Sequence, residues 1–126
     1  MSAADDFQAR TDAFADLAIT FVEGLPAVHR IQRLASQFQD ASTSVGANYR
    51  AARRARSHAE FTAKVGIVSE EADESAYWLT RMKNNNIRSS TVDIELLLKE
   101  ADELARIFGG SHRTSKRRRR HRDGDQ

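Results

Sequence analysis

A chain of 126 residues, 40% apolar and 30% charged, has room for one domain and one hydrophobic core. It contains no cysteine, which excludes disulfides, thiolate nucleophiles and cysteine-based zinc sites together. The formal net charge of +2 hides a division: residues 1–110 carry 13 Lys and Arg against 16 Asp and Glu, whereas residues 111–126 carry 7 against 2, so the basic character belongs to the last segment.

No apolar run approaches the ~20 residues needed to span a bilayer. The opening Met1-Ser-Ala-Ala-Asp-Asp has neither the basic nor the apolar region of a secretory signal. The expectation is a cytoplasmic protein with no membrane association.

Four amphipathic segments follow in chain order. The first covers about residues 3–23, with Phe7, Phe14, Leu17, Ala18 and Phe21 at helical spacing, and Gly24-Leu25-Pro26 ends it. The second covers about residues 28–56. Its seam of Ile31, Leu34, Ala35, Phe38, Ser42, Val45, Tyr49 and Ala52 alternates steps of three and four, as in bundles with shallow crossing angles. Ser57-His58-Ala59-Glu60 reads as a capping box that opens the third helix, which turns Phe61, Val65, Val68, Ala72, Ala76, Leu79 and Met82 inward. Asn84-Asn85-Asn86 is a turn cluster, Ser90 with Asp93 opens the fourth helix, and Gly109-Gly110 closes it. Long helices joined by short turns predict an all-α, antiparallel up-down-up-down four-helix bundle over residues 1–110. Residues 111–126, apolar-free and rich in arginine, are expected to be a disordered basic tail.

The fourth helix is apolar on two sides. Ile94, Leu97, Leu98, Ala101, Leu104, Ala105 and Phe108 share one face, while Val92, Leu96 and Ile107 fall roughly opposite. In the third helix, Ile67 and Trp78 sit beside the main seam among charged residues. A helix with two apolar faces has two things to bury against, so these five residues are the candidate surface for self-association. A polar network between helices two and three is also expected, built from Ser42, Asn48, Lys64, Glu71 and Glu74.

Sites of chemistry are hard to find. The run Glu70-Glu71-Ala72-Asp73-Glu74 invites a di-iron reading, but that chemistry needs inward carboxylates on all four helices and Glu-x-x-His on two, and no Glu-x-x-His occurs. Glycine-rich phosphate loops and Gly-x-Ser-x-Gly are absent from the sequence. The expectation is a protein that is not an enzyme and holds no metal or cofactor. Two basic features remain. Arg50, Arg53, Arg54 and Arg56 lie near the end of helix two, the first three spaced so as to form one guanidinium patch able to clamp phosphates. The same cations also suit a helix C-terminus, where the macrodipole favours them. Lys116, Arg117, Arg118, Arg119, Arg120 and Arg122 make an almost unbroken cationic run of the kind that binds polyanions without reading sequence.

The stretch from Ser42 to Leu79 carries a family likeness. Ser42-Thr-Ser-Val-Gly-Ala-Asn48-Tyr-Arg50, Ala55-Arg-Ser57, Glu60-Phe61, Lys64, Glu70-Glu71-Ala72, Glu74 and Tyr77-Trp78-Leu79 resemble the bacterial four-helix-bundle family of proteins encoded in intervening sequences of 23S rRNA genes. That family is related to the accessory variability protein of diversity-generating retroelements. With helix one and Leu25-Pro26 included, the resemblance covers about residues 7–108. It implies a homopentamer and, for the retroelement branch, nucleic acid and a reverse transcriptase as partners. Where many members have a glutamate two residues after the tyrosine, this chain has Ala51. The expected function is that of a non-enzymatic oligomer binding RNA or DNA nonspecifically through its basic residues. The alternative is a structural adaptor whose oligomer binds a protein partner.

Overall fold

The structure, a computed structural model, describes residues 1–124, apart from the side chains of Arg122 and Asp123. It is all helix and turn: α1 spans Ala3–Glu23, α2 His29–Arg53, α3 His58–Asn84 and α4 Ile94–Gly124. Ser2 opens α1 with a reciprocal capping box, its Oγ accepting from Asp5 N while Asp5 accepts from Ser2 N. Short connections force each helix to run antiparallel to the one before it, giving the expected four-helix bundle. None of the helices is long and apolar enough to cross a membrane among the described residues.

The seams meet as their spacing requires. Phe14, Phe21, Phe38, Val45, Val65, Val68, Leu79, Met82, Leu97 and Leu104 are fully buried, one set from each helix. Phe21 and Phe38 pack edge to face with centroids 5.6 Å apart. Nearer the other end, Phe108 meets Tyr49 at 5.1 Å and Phe7 at 5.8 Å. Each fully buried aliphatic or aromatic side chain contributes roughly 1.5–3 kcal/mol, so this core is what holds the helices together.

The structure corrects several boundaries. Helix α2 stops at Arg53, and Arg54 N and Ala55 N close its last turn onto Ala51 and Ala52 carbonyls. At α3, Ser57 Oγ accepts from Glu60 N, but Glu60 returns its carboxylate to Arg56 N at 3.3 Å rather than to Ser57 N, so the capping box is half formed. Helix α4 starts at Ile94, with Asp93 Oδ1 accepting from Glu95 N at 3.0 Å. Ser90, expected to open it, instead donates its amide to Gly24 O at 2.9 Å. It belongs to a strap that closes the end of α1: Ser89 Oγ donates to Phe21 O and Thr91 Oγ1 to Thr20 O, each at 2.7 Å. Ser90 and Thr91 thus serve carbonyls at a helix terminus, where intrahelical donors run out, and Ser89 adds a second donor to Phe21 O, which already accepts from Gly24 N.

The largest correction is at Gly109-Gly110. The helix does not end there, and the segment expected to be disordered continues α4 to Gly124. Glycine ends a helix by adopting positive φ, and neither glycine does so. Gly109 lies where α4 passes α3 closely, since a Cβ there would sit 3.3 Å from Ser69 Oγ, whereas a Cβ on Gly110 would meet only Arg113 of its own helix. Beyond them α4 still has partners on α3, in His58, Thr62 and Gly66.

The polar network expected between α2 and α3 is not formed either. Ser42 Oγ donates to Gln39 O, Asn48 Nδ2 to Ser44 O and Ser75 Oγ to Glu71 O, all within their own helices. Glu74 is exposed and accepts from Trp78 Nε1. Back-bonding within a helix satisfies a buried hydroxyl without a partner across the interface.

Candidate nucleic-acid interface

Antiparallel topology brings the last turn of α2, the first turn of α3 and the C-terminal part of α4 to one end of the bundle. The two basic features, more than fifty residues apart in sequence, therefore share that end.

On α2 the three-arginine patch is divided. Arg53 reaches back to α1, with its Nη2 2.6 Å from Asp5 Oδ1. Its hydrogen bond is the main reason the Asp5 carboxyl titrates below its ordinary value, helped by the Ser2 amide. Arg50 and Arg54 line two open surface depressions, and Arg53, its charge paired with Asp5, stays exposed at the first of them. The one toward α1 adds Gln8, Asp12 and Thr43. The one toward α3 adds Arg56 and Lys64, with Glu60 as its acidic member. Lys64, on the next helix, thus joins the arginines.

Residues 111–121 sit on α4. Lys116, Arg119 and Arg120 border a third depression, walled by His112 and by Ala59, Thr62 and Ala63 of α3. Arg117 and Arg118 are exposed. Arg122 falls outside the described side chains.

What seats this segment is a set of hydrogen bonds invisible to an apolar-periodicity reading. His58 Nε2 donates to Ser115 O at 2.9 Å, Ser115 Oγ and Thr62 Oγ1 share a short hydrogen bond, and Thr62 Oγ1 also bonds His58 O. One turn along, His112 Nδ1 donates to Thr62 O at 3.0 Å. The His112 ring lies over Gly66, where a Cβ would come within 2.7 Å of it. His58, Thr62 and Gly66 are spaced by four on α3. His112 and Ser115 continue the phase of Leu104 and Phe108 on α4, in polar residues. That continued phase was the available signal.

Ser115 and His58 are also the one serine–histidine pair in hydrogen-bond range among the described contacts, at 3.2 Å. The same Nε2 faces the Ser115 carbonyl, which can only accept. It must carry its proton and cannot serve as a base toward Oγ, so the pair reads as a structural latch. Among the described residues no group of acidic or histidine side chains is placed to hold a metal ion.

The five candidate association residues separate. Leu96 is 56% exposed on α4. Ile67 and Ile107 are half-buried, while Trp78 and Val92 pack against the core, and Val92 lies in the strap before α4 rather than on its second face. Tyr77, not anticipated, is 54% exposed, edge to face with Trp78 at 5.0 Å and capped by the Arg81 guanidinium. Nearby, burial raises the Glu71 carboxyl above its ordinary value, with Glu74 and Glu70 adding like-charge repulsion.

The sequence profile of the 23S rRNA-intervening sequence proteins matches residues 8–110. The chain belongs to that family. The match ends where α4 would have stopped by the glycine reading, and residues 111–124 of the helix lie beyond it. A solved protein of unknown function from the S23 ribosomal protein family of Bacteroides thetaiotaomicron has the same fold, with a TM-score of 0.71 at 22% identity; the alignment covers 87% of this chain and 97% of that one. No curated protein matches the chain. Family membership thus rests on the bundle up to Gly110.

Proposed function

We propose that this intervening-sequence family member is a non-enzymatic, self-associating bundle that binds RNA or DNA through its basic end with little sequence preference. The observation that carries the reading is the convergence of Arg50, Arg54, Arg56 and Lys64 with the cationic run of α4 at one pole. Phosphate contacts by such side chains supply affinity without sequence information.

Self-association draws support from Leu96, Tyr77 and the half-buried Ile67 and Ile107 on α3 and α4. A homopentamer is the assembly the family resemblance implies, and five basic poles on one particle would raise avidity without a new contact. The retroelement branch of that resemblance adds a reverse transcriptase as a protein partner. An adaptor role without nucleic acid is the second reading, favoured by the exposed Tyr77 and Leu96.

A gel shift with full-length protein tests the main reading. Binding should fall steeply with salt, at roughly 0.9 power of salt concentration per phosphate neutralised on duplex DNA. Arg50→Ala with Arg54→Ala should weaken it. No shift at low salt with any nucleic acid would leave the adaptor. Light scattering tests assembly: Leu96→Glu with Ile107→Lys should reduce the particle mass, and a wild type already monomeric at micromolar concentration would remove self-association.

A further inference from the structure

We infer that the ligand of the basic pole is a DNA duplex, and that the C-terminal part of α4 enters its major groove as a preformed helix. This rests on the nucleic-acid reading above and adds to it the form of the nucleic acid and the mode of binding.

Ser115, bonded to His58 and Thr62, is the last buried residue of α4 among the described side chains, and His58 is the first residue of α3. Residues 116–121 are all exposed. Helix α4 therefore runs past the start of α3 and on to Gly124, about 14 Å beyond Ser115 at 1.5 Å per residue, with Lys116, Arg119 and Arg120 still bordering the depression beside Ala59 and Thr62. The hydrogen bonds fix its direction, so the cations stand on a rod and not on a loose tail.

Their distribution around the rod is the second observation. At 100° per residue, Lys116, Arg117, Arg118 and Arg119 point to four sides of the helix, and Arg113 and Arg120 fill the sector between the first two. Cations on all sides suit a ligand that presents phosphates on both flanks at once. A helix with its side chains is about 10–12 Å across, and the major groove of B-form DNA is about 12 Å wide between two phosphate walls. The major groove of duplex RNA is too narrow and deep to admit such an element. Lys116–Arg120 and Arg113–Arg117 are like-charge pairs at i,i+4, which repel within the helix until a polyanion neutralises them.

Composition points away from single strands. Proteins that bind them combine charge with aromatic platforms on which bases stack. Residues 109–126 contain no Phe, Tyr or Trp, and Phe108 is buried against Phe7 and Tyr49.

Fluorescence anisotropy with the full-length protein decides the matter, using a DNA duplex of about 20 base pairs, the RNA duplex of the same sequence and one of the DNA strands. The DNA duplex is expected to bind at least about tenfold more tightly than either competitor. Thr114→Pro preserves every charge, removes one helix amide and clashes with the Gly110 carbonyl, so the rod should bend or melt. It should weaken duplex binding about tenfold and leave single-strand binding unchanged. Ser115→Gly, which releases the latch without a proline, should shift the same ratio in the same direction, and circular dichroism reports whether the bundle stays folded. Equal affinity for the three probes, a preference for RNA, or duplex binding insensitive to both variants in a folded bundle would overturn the groove mode and leave a charged tail. No binding of any probe would overturn this inference and the nucleic-acid reading together.

Discussion

The two ends of the bundle are closed in different ways. At one end the strap Ser89-Ser90-Thr91 gives three donors to carbonyls at the end of α1, and the chain turns tightly over Gly24. Those are neutral bonds to backbone, and they leave no charge behind. At the other end a helix that could have stopped runs on, held by two histidines, a threonine and a serine, and carries its cations outward. One end completes the fold, whereas the other uses hydrogen bonds to aim a charged element. A chain that needed only a stable bundle would gain nothing from a self-repelling helix past Ser115.

If the ends differ in this way, truncations in their aromatic clusters should not cost the same. Phe38, fully buried against Phe21, should lose about 3–5 kcal/mol on substitution by alanine. Phe7, half-buried beside Phe108 at the basic end, should lose clearly less. Urea denaturation of the two variants makes the comparison, and equal losses would mean that both ends are packed alike.

Gly24→Ala is the next largest effect. A Cβ there would lie 2.4 Å from Ser89 Oγ and Thr91 Oγ1 and 2.8 Å from Thr91 N, so the strap itself would have to move. The cost should be about 1–3 kcal/mol, with faster amide exchange in residues 85–93 as its local signature. Unchanged exchange would show that the strap does not depend on the close approach.

Much of the bundle was legible in the sequence, because apolar residues at steps of three and four can be buried in only one way. Phe38, Val45, Leu79 and Leu104 all lie on the seams that this spacing predicted. Family membership was legible too, from the segments around Asn48-Tyr49-Arg50 and Tyr77-Trp78-Leu79, and the profile match agrees with it. The rest was decided by tertiary partners. The charge of Arg53 is paired with Asp5, more than forty residues earlier. Ser90 reads as a helix cap but serves the end of α1. The continuation of α4 was hidden because its contacts with α3 are made by His112 and Ser115, which no hydrophobic periodicity can register.

The latch should carry a smaller, local energy. His58→Ala removes the donor to Ser115 O, and Thr62→Val removes the hydroxyl bonded to Ser115 Oγ. Each should cost about 0.5–1.5 kcal/mol, and the loss should appear as lower helix content at the C-terminus with the core transition little changed. A loss spread over the whole unfolding transition with full helix content would place the latch in the cooperative core instead of at its edge.

The smallest effect is also the sharpest on how the basic end is built. Gly110 lies inside α4 without positive φ, and the nearest atom a Cβ would meet is Arg113 Nη2 at 3.9 Å, one turn along the same helix. Alanine there meets ordinary contact, and it removes the entropy that glycine loses on becoming helical. Gly110→Ala should therefore stabilise the protein by about 0.5–1 kcal/mol. If the helix ended at Gly109-Gly110 with a glycine in the left-handed conformation, the same change would destabilise it, because a Cβ is strained there. The sign of one thermal shift separates a helix that continues from one that stops. The neighbouring Gly109→Ala is a useful contrast: its Cβ would press on Ser69 Oγ at 3.3 Å, so its gain should be smaller or absent. A stabilising Gly110→Ala beside a neutral Gly109→Ala would mean that α4 passes through both glycines with one facing α3 and the other facing water, which is the arrangement the rod at the basic end requires.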